Sequence, residues 1–261
     1  MSEPMHHSDL ISVPSSYAPA EWAARCELAC AYRVFDQFGW NELIYNHITL
    51  RVPEEPGHFL INPFGLLYHE VRASNLVKID IDGNIVGPSQ HGVNPAGFIV
   101  HSAVHRSRED AHCVMHTHTT AGSAVACQSN GLVPLSFTSF FYADRLAYHD
   151  FEGITFDTDE RDRLSGNLGT KNAMILRNHG LLTCGVSVAD AFAEMYHLQR
   201  ACEVQLAAQS SGASLRFPSA EVVRKTAHQF DLSARNAGQQ NELLFSAMRR
   251  WVQRLSENIY T

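Results

Sequence analysis

The chain has 261 residues, 45% of them hydrophobic, and carries a formal net charge of −7 with a pI near 6.1. This composition is typical of a globular protein with a full core, and the negative charge gives no reason to expect nucleic acid or an anionic membrane as partner. No run of about 18 apolar residues occurs, which argues against a membrane-spanning helix.

Residues 1–18 are polar and rich in Ser and Pro, without the basic-then-apolar order of a signal peptide, and predict a mobile tail. The six cysteines include no C-x-x-C pair, and most fall within predicted helices and strands. Such cysteines are typical of buried free thiols in a reducing compartment. We therefore expect a cytoplasmic protein without disulfides.

The first half of the chain predicts one long helix followed by short strands. Pro19 is placed to open the helix and Gly39 to end it. Strand-like runs follow at 48–52 and 59–61, and a loop at 62–65 is of the kind that carries function. Residues 76–86 predict a hairpin, because Asp82-Gly83 between alternating apolar residues favours a tight turn. Asn94 is a candidate cap for a helix that runs to about residue 106.

Two histidines at the end of a predicted strand are the most informative local feature. On a strand over 113–118, His116 and His118 point to the same face, because side chains alternate. Thr119 or Thr120 can cap a following helix over 121–127, which would bring a positive helix end beside the two imidazoles. This pattern indicates a site at the end of that strand.

A third histidine follows another apolar strand at 173–176. His179 lies in the turn after it, just before Gly180. Three imidazoles at strand ends can hold one divalent metal and leave coordination positions open, as in catalytic sites. The alternative is three ordinary polar residues that bond to the backbone, since histidines are often satisfied in this way.

The last third of the chain predicts helices. Ser187, with Asp190 three residues later, can open a long helix that runs to about residue 209. A polar break at 210–218 precedes a final helical stretch around 243–255. We expect one α/β domain over 19–210, with 211–261 as a helical arm of the same domain.

Four segments together resemble the class II aldolase/adducin family. They are Asn46-His47-Ile48-Thr49-Leu50-Arg51, Leu60-Ile61-Asn62-Pro63-Phe64-Gly65, His116-Thr117-His118 and Asn178-His179-Gly180-Leu181-Leu182. The resemblance implies a three-layer α/β/α fold with a central, mostly antiparallel sheet, usually in a homotetramer. It also implies that His116, His118 and His179 bind zinc or a similar divalent ion, manganese and iron being alternatives. Asn46 and Gly65 match substrate-binding positions of the family.

Three departures separate this chain from the sugar-phosphate aldolases of that family. Gly97 stands where those enzymes carry an acidic residue that binds metal and transfers a proton. Pro95-Ala96 replaces a serine pair used for phosphate, and Phe64-Gly65 replaces Thr-Gly. His101, one helical turn after Gly97, is a candidate catalytic residue, because histidine titrates near neutral pH. A sugar phosphate is therefore not the expected substrate.

The leading hypothesis is a metal-dependent lyase that cleaves or decarboxylates a small metal-chelated oxo or hydroxy acid. Decarboxylation suits the site, because it needs an electron sink rather than a base that removes a proton from carbon. One alternative is a non-haem iron(II) oxygenase on the same three histidines. Another is a non-catalytic, adducin-like interaction domain of cytoskeletal type, because fold does not secure chemistry. The expected partners are a small-molecule substrate and further copies of the chain.

Overall fold

A computed structural model describes residues 13–153, 159–233, 237–256 and 258–261. The helices are α1 (Pro19–Phe38), α2 (Pro95–Ser107), α3 (Thr120–Ala126), α4 (Phe137–Phe140), α5 (Asp159–Leu168), α6 (Val188–Ser210), α7 (Ala220–Ser233) and α8 (Ala237–Leu255). The strands are β1 (Ile48–Arg51), β2 (His58–Ile61), β3 (Val77–Asp80), β4 (Cys113–Thr117), β5 (Leu146–His149), β6 (Ala173–Leu176) and β7 (Gly180–Gly185).

The strands form one sheet in the order β3-β2-β1-β4-β7-β6-β5. Every neighbouring pair is antiparallel except β5 and β6, which run parallel. The central strand β4 lies between β1 and β7, with Ile48 opposite Met115 and Leu181 opposite Thr117. The ends of three strands that are distant in sequence therefore meet at one place.

Helices cover both faces of the sheet. Cys113 and Met115 of β4 belong to the core formed with α1, α6 and α8, whereas Val114 belongs to the core formed with α2 and α5. This alternation follows from the two-residue period of a strand, and burial on both faces explains why most residues of the strands are apolar. The predicted three-layer α/β/α architecture with a mostly antiparallel sheet is confirmed.

The structure confirms three predicted helix ends, namely the end of α1 and the starts of α3 and α6. Gly39 follows α1 with φ +67°, and its N–H donates to the carbonyls of Phe35 and Asp36. The side chain of Thr119 accepts a hydrogen bond from Gly122 N–H, and the side chain of Ser187 accepts one from Asp190 N–H. Small polar residues at these positions therefore fix where α3 and α6 begin.

Several local predictions need correction. Asn94 precedes α2 as predicted, but its side chain makes no capping hydrogen bond. The hairpin over 76–86 is present, with Ile79 opposite Ile85 and the N–H of Val86 donating to the carbonyl of Lys78, but its second arm is only an isolated bridge. Of the free cysteines, Cys127 is exposed rather than buried, since it follows the end of α3.

The C-terminal arm contains two helices where the sequence predicted one. Helix α7 was missed although Val223, Ala227 and Phe230 recur along it at helical spacing, and α8 begins six residues earlier than the apolar pattern indicated. Phe245 and Val252 of α8 are buried in the main core. Of the predicted tail, residues 1–12 lie outside the described part, and the division at residue 210 stays a prediction. No helix among the described residues is long and apolar enough to span a membrane.

Candidate metal centre

Three imidazoles converge at the end of the central strand. His116 lies in β4, His118 lies just after it, and His179 lies in the turn between β6 and β7. One nitrogen of each ring lies within 4.8 Å of a nitrogen of the others. His116 is buried, whereas His118 and His179 are partly exposed, so a small ligand can approach from their side. The structure therefore brings together the three histidines that the sequence singled out.

The turn that carries His179 depends on an unusual backbone conformation. Asn178 has φ +57°, in the left-handed region that asparagine tolerates better than most residues. Its N–H donates to the carbonyl of Ala126, and the N–H of His179 donates to the carbonyl of Leu176. The hydroxyl of Ser123 on α3 donates to the carbonyl of His179. Helix α3 therefore holds the turn from outside the sheet.

Gly180 lets β7 approach β4 closely beside the histidines. A Cβ added at this position would lie 2.2 Å from the carbonyl oxygen of Thr117 and 3.2 Å from Cδ2 of His118. Real Cβ atoms do not come so close to backbone, and any side chain would push the two strands apart. The glycine after His179 is therefore required by packing, not by a special φ.

The hydrogen bonds of His116 determine which of its ring nitrogens can bind a metal ion. Its Nδ1 lies 2.8 Å from the carbonyl of Leu181, so Nδ1 carries the proton and donates it. Its Nε2 lies 2.7 Å from Nε2 of His118. Two imidazole nitrogens at this distance need a proton or a cation between them, because their lone pairs repel. The backbone carbonyl behind His116 is the outer partner that metal-binding histidines usually have.

The environment keeps these imidazoles neutral. Burial, followed by the charges of His179 and His118, holds the pKa of His116 well below its usual value. Burial, and then the charge of His118, lowers the pKa of His179 to about 4, and burial also lowers that of His118. Neutral imidazoles are the form that binds metals. The three residues therefore fit a divalent ion in geometry and charge, and His116 fits it in tautomer as well.

Asn46 and His47 lie beside the cluster, just before β1. Both are buried, and their side chains make no well-formed hydrogen bond to the described residues. The hydroxyl of Tyr32, a buried residue of α1, accepts hydrogen bonds from the N–H groups of Ile48 and Asn62. Tyr32 therefore ties the start of β1 to the end of β2, and so positions the two residues that precede β1.

His47 fills the space beside Gly97. A Cβ on Gly97 would lie 2.6 Å from Cε1 and 2.8 Å from Nδ1 of His47. The ring of His47 also contacts those of His101, at 4.1 Å between centroids, and His116, at 5.9 Å. Burial lowers the pKa of His47 to about 4, and the backbone of Gly97 and Tyr45 offsets this only in part.

His101 lies behind His47. Gly97, His101 and His105 follow one another at one-turn intervals on α2, and the two histidines are buried. The hydroxyl of Thr49 lies 2.7 Å from Nδ1 of His101 and 2.8 Å from Nε2 of His105. His101 stands outside the group formed by the three convergent imidazoles.

Gly65, the other predicted substrate-binding residue, lies in the loop after β2. It has φ +96°, and a Cβ added there would have nothing within 4 Å, so this turn faces open space. The neighbouring Phe64 is partly exposed, and its N–H donates to the carbonyl of Gly92. The backbone hydrogen bond of Phe64 therefore holds this loop in place, while the space beside Gly65 stays open.

Sequence reasoning missed His47 as a site residue. Its only local signal was the period of two that places it on the same face of β1 as Thr49. Its closeness to His116 depends on the register of β1 against β4, in which Ile48 pairs with Met115. These residues are far apart in the chain, and no pattern within either strand defines that register.

The chain is similar to known proteins over most of its length. The family model of the Class II Aldolase and Adducin N-terminal domain matches residues 26–206. A crystal structure of an aldolase II superfamily protein from Pseudomonas syringae is 46% identical, with a TM-score of 0.89 over 95% of this chain and 99% of that one. An L-fuculose 1-phosphate aldolase from Glaciozyma antarctica is 27% identical, with a TM-score of 0.80 over 97% and 98%.

One similar protein is cytoskeletal by name rather than an aldolase. Mouse alpha-adducin is 50% identical over 194 residues, which make up 73% of this chain but 26% of the adducin. The matching region is therefore one part of a much longer protein.

Proposed function

The chain belongs to the class II aldolase and adducin family, and we propose that it is a divalent-metal-dependent lyase. The proposed reaction breaks a carbon–carbon bond, by aldol-type cleavage or decarboxylation, in a small oxo or hydroxy acid. The observation that carries this proposal is the convergence of three neutral imidazoles at an accessible strand end.

His116, His118 and His179 are the proposed metal ligands. A divalent ion with three imidazole ligands keeps open positions and acts as a Lewis acid on substrate oxygens. Zinc suits such a nitrogen donor set, and iron(II) and manganese are alternatives. The hydrogen bond from Nδ1 of His116 to Leu181 holds one ligand in the tautomer that such binding requires.

The proposed substrate class follows from what surrounds the three imidazoles. Gly97 offers no carboxylate that could remove a proton from carbon, and Pro95-Ala96 offers no hydroxyl for a phosphate group. Asn46 presents a buried amide whose donor and acceptor are both unpaired, which suits the carboxylate or hydroxyl of a small acid. The open turn at Gly65 is the proposed second contact. Decarboxylation fits this set best, because loss of carbon dioxide generates the carbanion without a base that removes a proton from carbon, and the carbanion then takes up a proton from solvent.

The proposed working form is a homo-oligomer, a tetramer by family resemblance, that binds a small molecule. Tyr45 and Phe64 are exposed aromatic residues near the start of β1 and the end of β2. Exposed apolar side chains of this kind often lie at contacts between subunits.

The experiment is a screen of small oxo and hydroxy acids with protein loaded with zinc, manganese or iron(II). Carbon dioxide release and carbonyl products are measured, with His179→Ala as the inactive control. Turnover by the wild-type protein alone supports a lyase. Oxygen consumption with iron(II), without products of lyase chemistry, would instead support the oxygenase alternative.

A second candidate function is a non-catalytic interaction domain. The identity of 50% to mouse alpha-adducin favours it, as does the absence of an acidic residue at Gly97. This candidate predicts a folded, oligomeric protein that turns over no acid whichever metal is present. Turnover that disappears in His179→Ala would reject it.

A further inference from the structure

Buried polar atoms without partners are concentrated beside the candidate metal centre. Eight such side-chain atoms occur among the described residues, and five of them belong to Asn46, His47 and His101. An unpaired buried polar atom destabilises the fold, so a cluster of them calls for an explanation. The remaining three atoms are scattered over Trp22, Tyr68 and Arg161. A small molecule bound beside these residues would supply the missing partners.

Within this cluster, His47 stands where a side chain from position 97 would project. Its Cε1 and Nδ1 atoms lie within 2.8 Å of the point where a Cβ on Gly97 would be. An acidic residue at 97 and the present ring of His47 therefore exclude each other. The chain carries an imidazole in the space from which a carboxylate would otherwise face the centre.

The distances favour a ligand-facing role for His47 over metal coordination. The candidate ligand atoms of His116, His118 and His179 all lie within 4.8 Å of one another. His47 is not part of this group. Yet its ring meets that of His116, with 5.9 Å between centroids. A group at this range can contact a small molecule held beside the three imidazoles.

The residues behind His47 support its position without hydrogen-bonding its ring nitrogens. Nδ1 of His105 lies 2.9 Å from the carbonyl of Ala111 and must donate to it. Nε2 of His105 therefore accepts from the hydroxyl of Thr49, and that hydroxyl in turn accepts from Nδ1 of His101. Nε2 of His101 is left without a proton. The hydrogen bond to Thr49 therefore fixes the ring of His101 behind that of His47. This placement suits a positioning residue better than a catalytic one.

We propose that His47 is the substrate-contacting residue that takes the place of the missing acidic side chain, hydrogen-bonding an oxygen of the small acid. This inference rests on the proposed function and adds to it the residue that holds the substrate. Its partner in this role is Asn46, whose unpaired amide adjoins it in sequence.

The test uses cobalt(II) as a spectroscopic metal and oxalate as a small dicarboxylate probe. Cobalt and oxalate affinities are measured for wild-type protein, His47→Ala, His47→Gln and His179→Ala. For His47→Ala we expect cobalt affinity within about threefold of wild type and oxalate affinity about 10- to 100-fold lower, as for a lost hydrogen bond to a charged group. His47→Gln, which keeps a donor, should recover part of the loss.

Gly97→Ala provides an independent variant, because its new methyl group must displace the ring of His47. We expect it to weaken oxalate binding in the wild-type background and to have no further effect in His47→Ala. Such non-additivity is the signature of two residues acting through one contact. Additive effects of the two substitutions would overturn the inference.

The other outcomes are equally distinct. Unchanged oxalate affinity in His47→Ala would show that His47 only packs against its neighbours, and would overturn the inference. A loss of cobalt as large as that in His179→Ala would make it a ligand, against the proposal. If the wild-type protein binds cobalt but oxalate affinity does not depend on His47, this inference alone is overturned. Failure of the wild-type protein to bind cobalt overturns the proposed function, and this inference with it.

Discussion

Nδ1 of His116 donates a hydrogen bond to the carbonyl oxygen of Leu181, at 2.8 Å, across the pairing of β4 with β7. This bond fixes the tautomer of the imidazole and leaves Nε2 to face His118. Because the acceptor is a backbone atom, its position depends on how closely the two strands approach. The distance between β4 and β7 therefore determines the tautomer of His116, and Gly180 allows the two strands to lie this close.

Gly180→Ala should destabilise the fold and weaken metal binding together. Its methyl group would lie 2.2 Å from the carbonyl oxygen of Thr117, so β4 and β7 must separate. We expect a loss of about 2 kcal/mol or more in the free energy of unfolding, as for an overpacked core. Urea denaturation and zinc affinity are the measurements. Gly166→Ala on α5 is the control, since a Cβ there meets nothing within 4 Å. It should leave stability unchanged or raise it by up to about 1 kcal/mol.

Thr49→Val should destabilise the protein although it keeps the shape of the side chain. The hydroxyl of Thr49 bonds both His101 and His105, and its loss leaves two buried ring nitrogens unpaired. The expected loss in the free energy of unfolding is about 1–3 kcal/mol for each unpaired group. The exposed Thr170→Val is the control and should change stability by less than about 0.5 kcal/mol. Equal unfolding midpoints for the two variants would contradict the proposed hydrogen-bond chain.

Acid should destabilise the metal-free protein, beginning near pH 6.5. Burial lowers the pKa of His105 from 6.5 to about 3. Between these values the unfolded chain binds a proton that the folded chain does not, so the free energy of unfolding falls as pH falls. The loss approaches about 1.4 kcal/mol per pH unit for this residue. His105→Gln should be less stable at pH 7 but should show a shallower slope from pH 6.5 to pH 4. Chemical denaturation at several pH values measures both, and an unchanged slope would exclude this residue as a source.

Asn46→Leu should separate stability from ligand binding. Neither the oxygen nor the nitrogen of this buried amide has a hydrogen-bond partner, so an apolar side chain of similar shape removes no internal bond. We expect the free energy of unfolding to stay constant or to rise by about 1 kcal/mol, while oxalate binding to the metal-loaded protein weakens. Thermal unfolding and an oxalate titration test the two parts. A marked loss of stability would indicate that the amide serves the fold instead.

Local patterns were sufficient where a short segment decides its own structure. The alternation along β4 gave the shared face of His116 and His118, and Gly39, Thr119 and Ser187 gave three helix ends. The pattern also indicated His179 as a third imidazole at a strand end, but nothing within 173–182 says which strand lies next to it, so only the family resemblance grouped it with the other two.

Contacts set by strand register could not be predicted. His47 reaches His116 only because β1 pairs with β4 in one particular register, and the period of two is the same in any register that preserves the faces. The parallel pairing of β5 with β6 likewise depends on a connection through α5. Helix α7, by contrast, has apolar residues that recur at helical spacing, namely Val223, Ala227 and Phe230, so it could have been predicted from the sequence.

Metal content by mass spectrometry tests the central claim most directly. Untagged protein is purified without chelators as wild type, His179→Ala and His112→Ala, the last being an exposed histidine outside the three-imidazole group. We predict about one divalent ion per chain in the wild-type and His112→Ala proteins, as expected for a single three-histidine site, and its loss in His179→Ala. A wild-type protein that takes up no divalent ion, or a His179→Ala protein that retains it in full, would contradict the account.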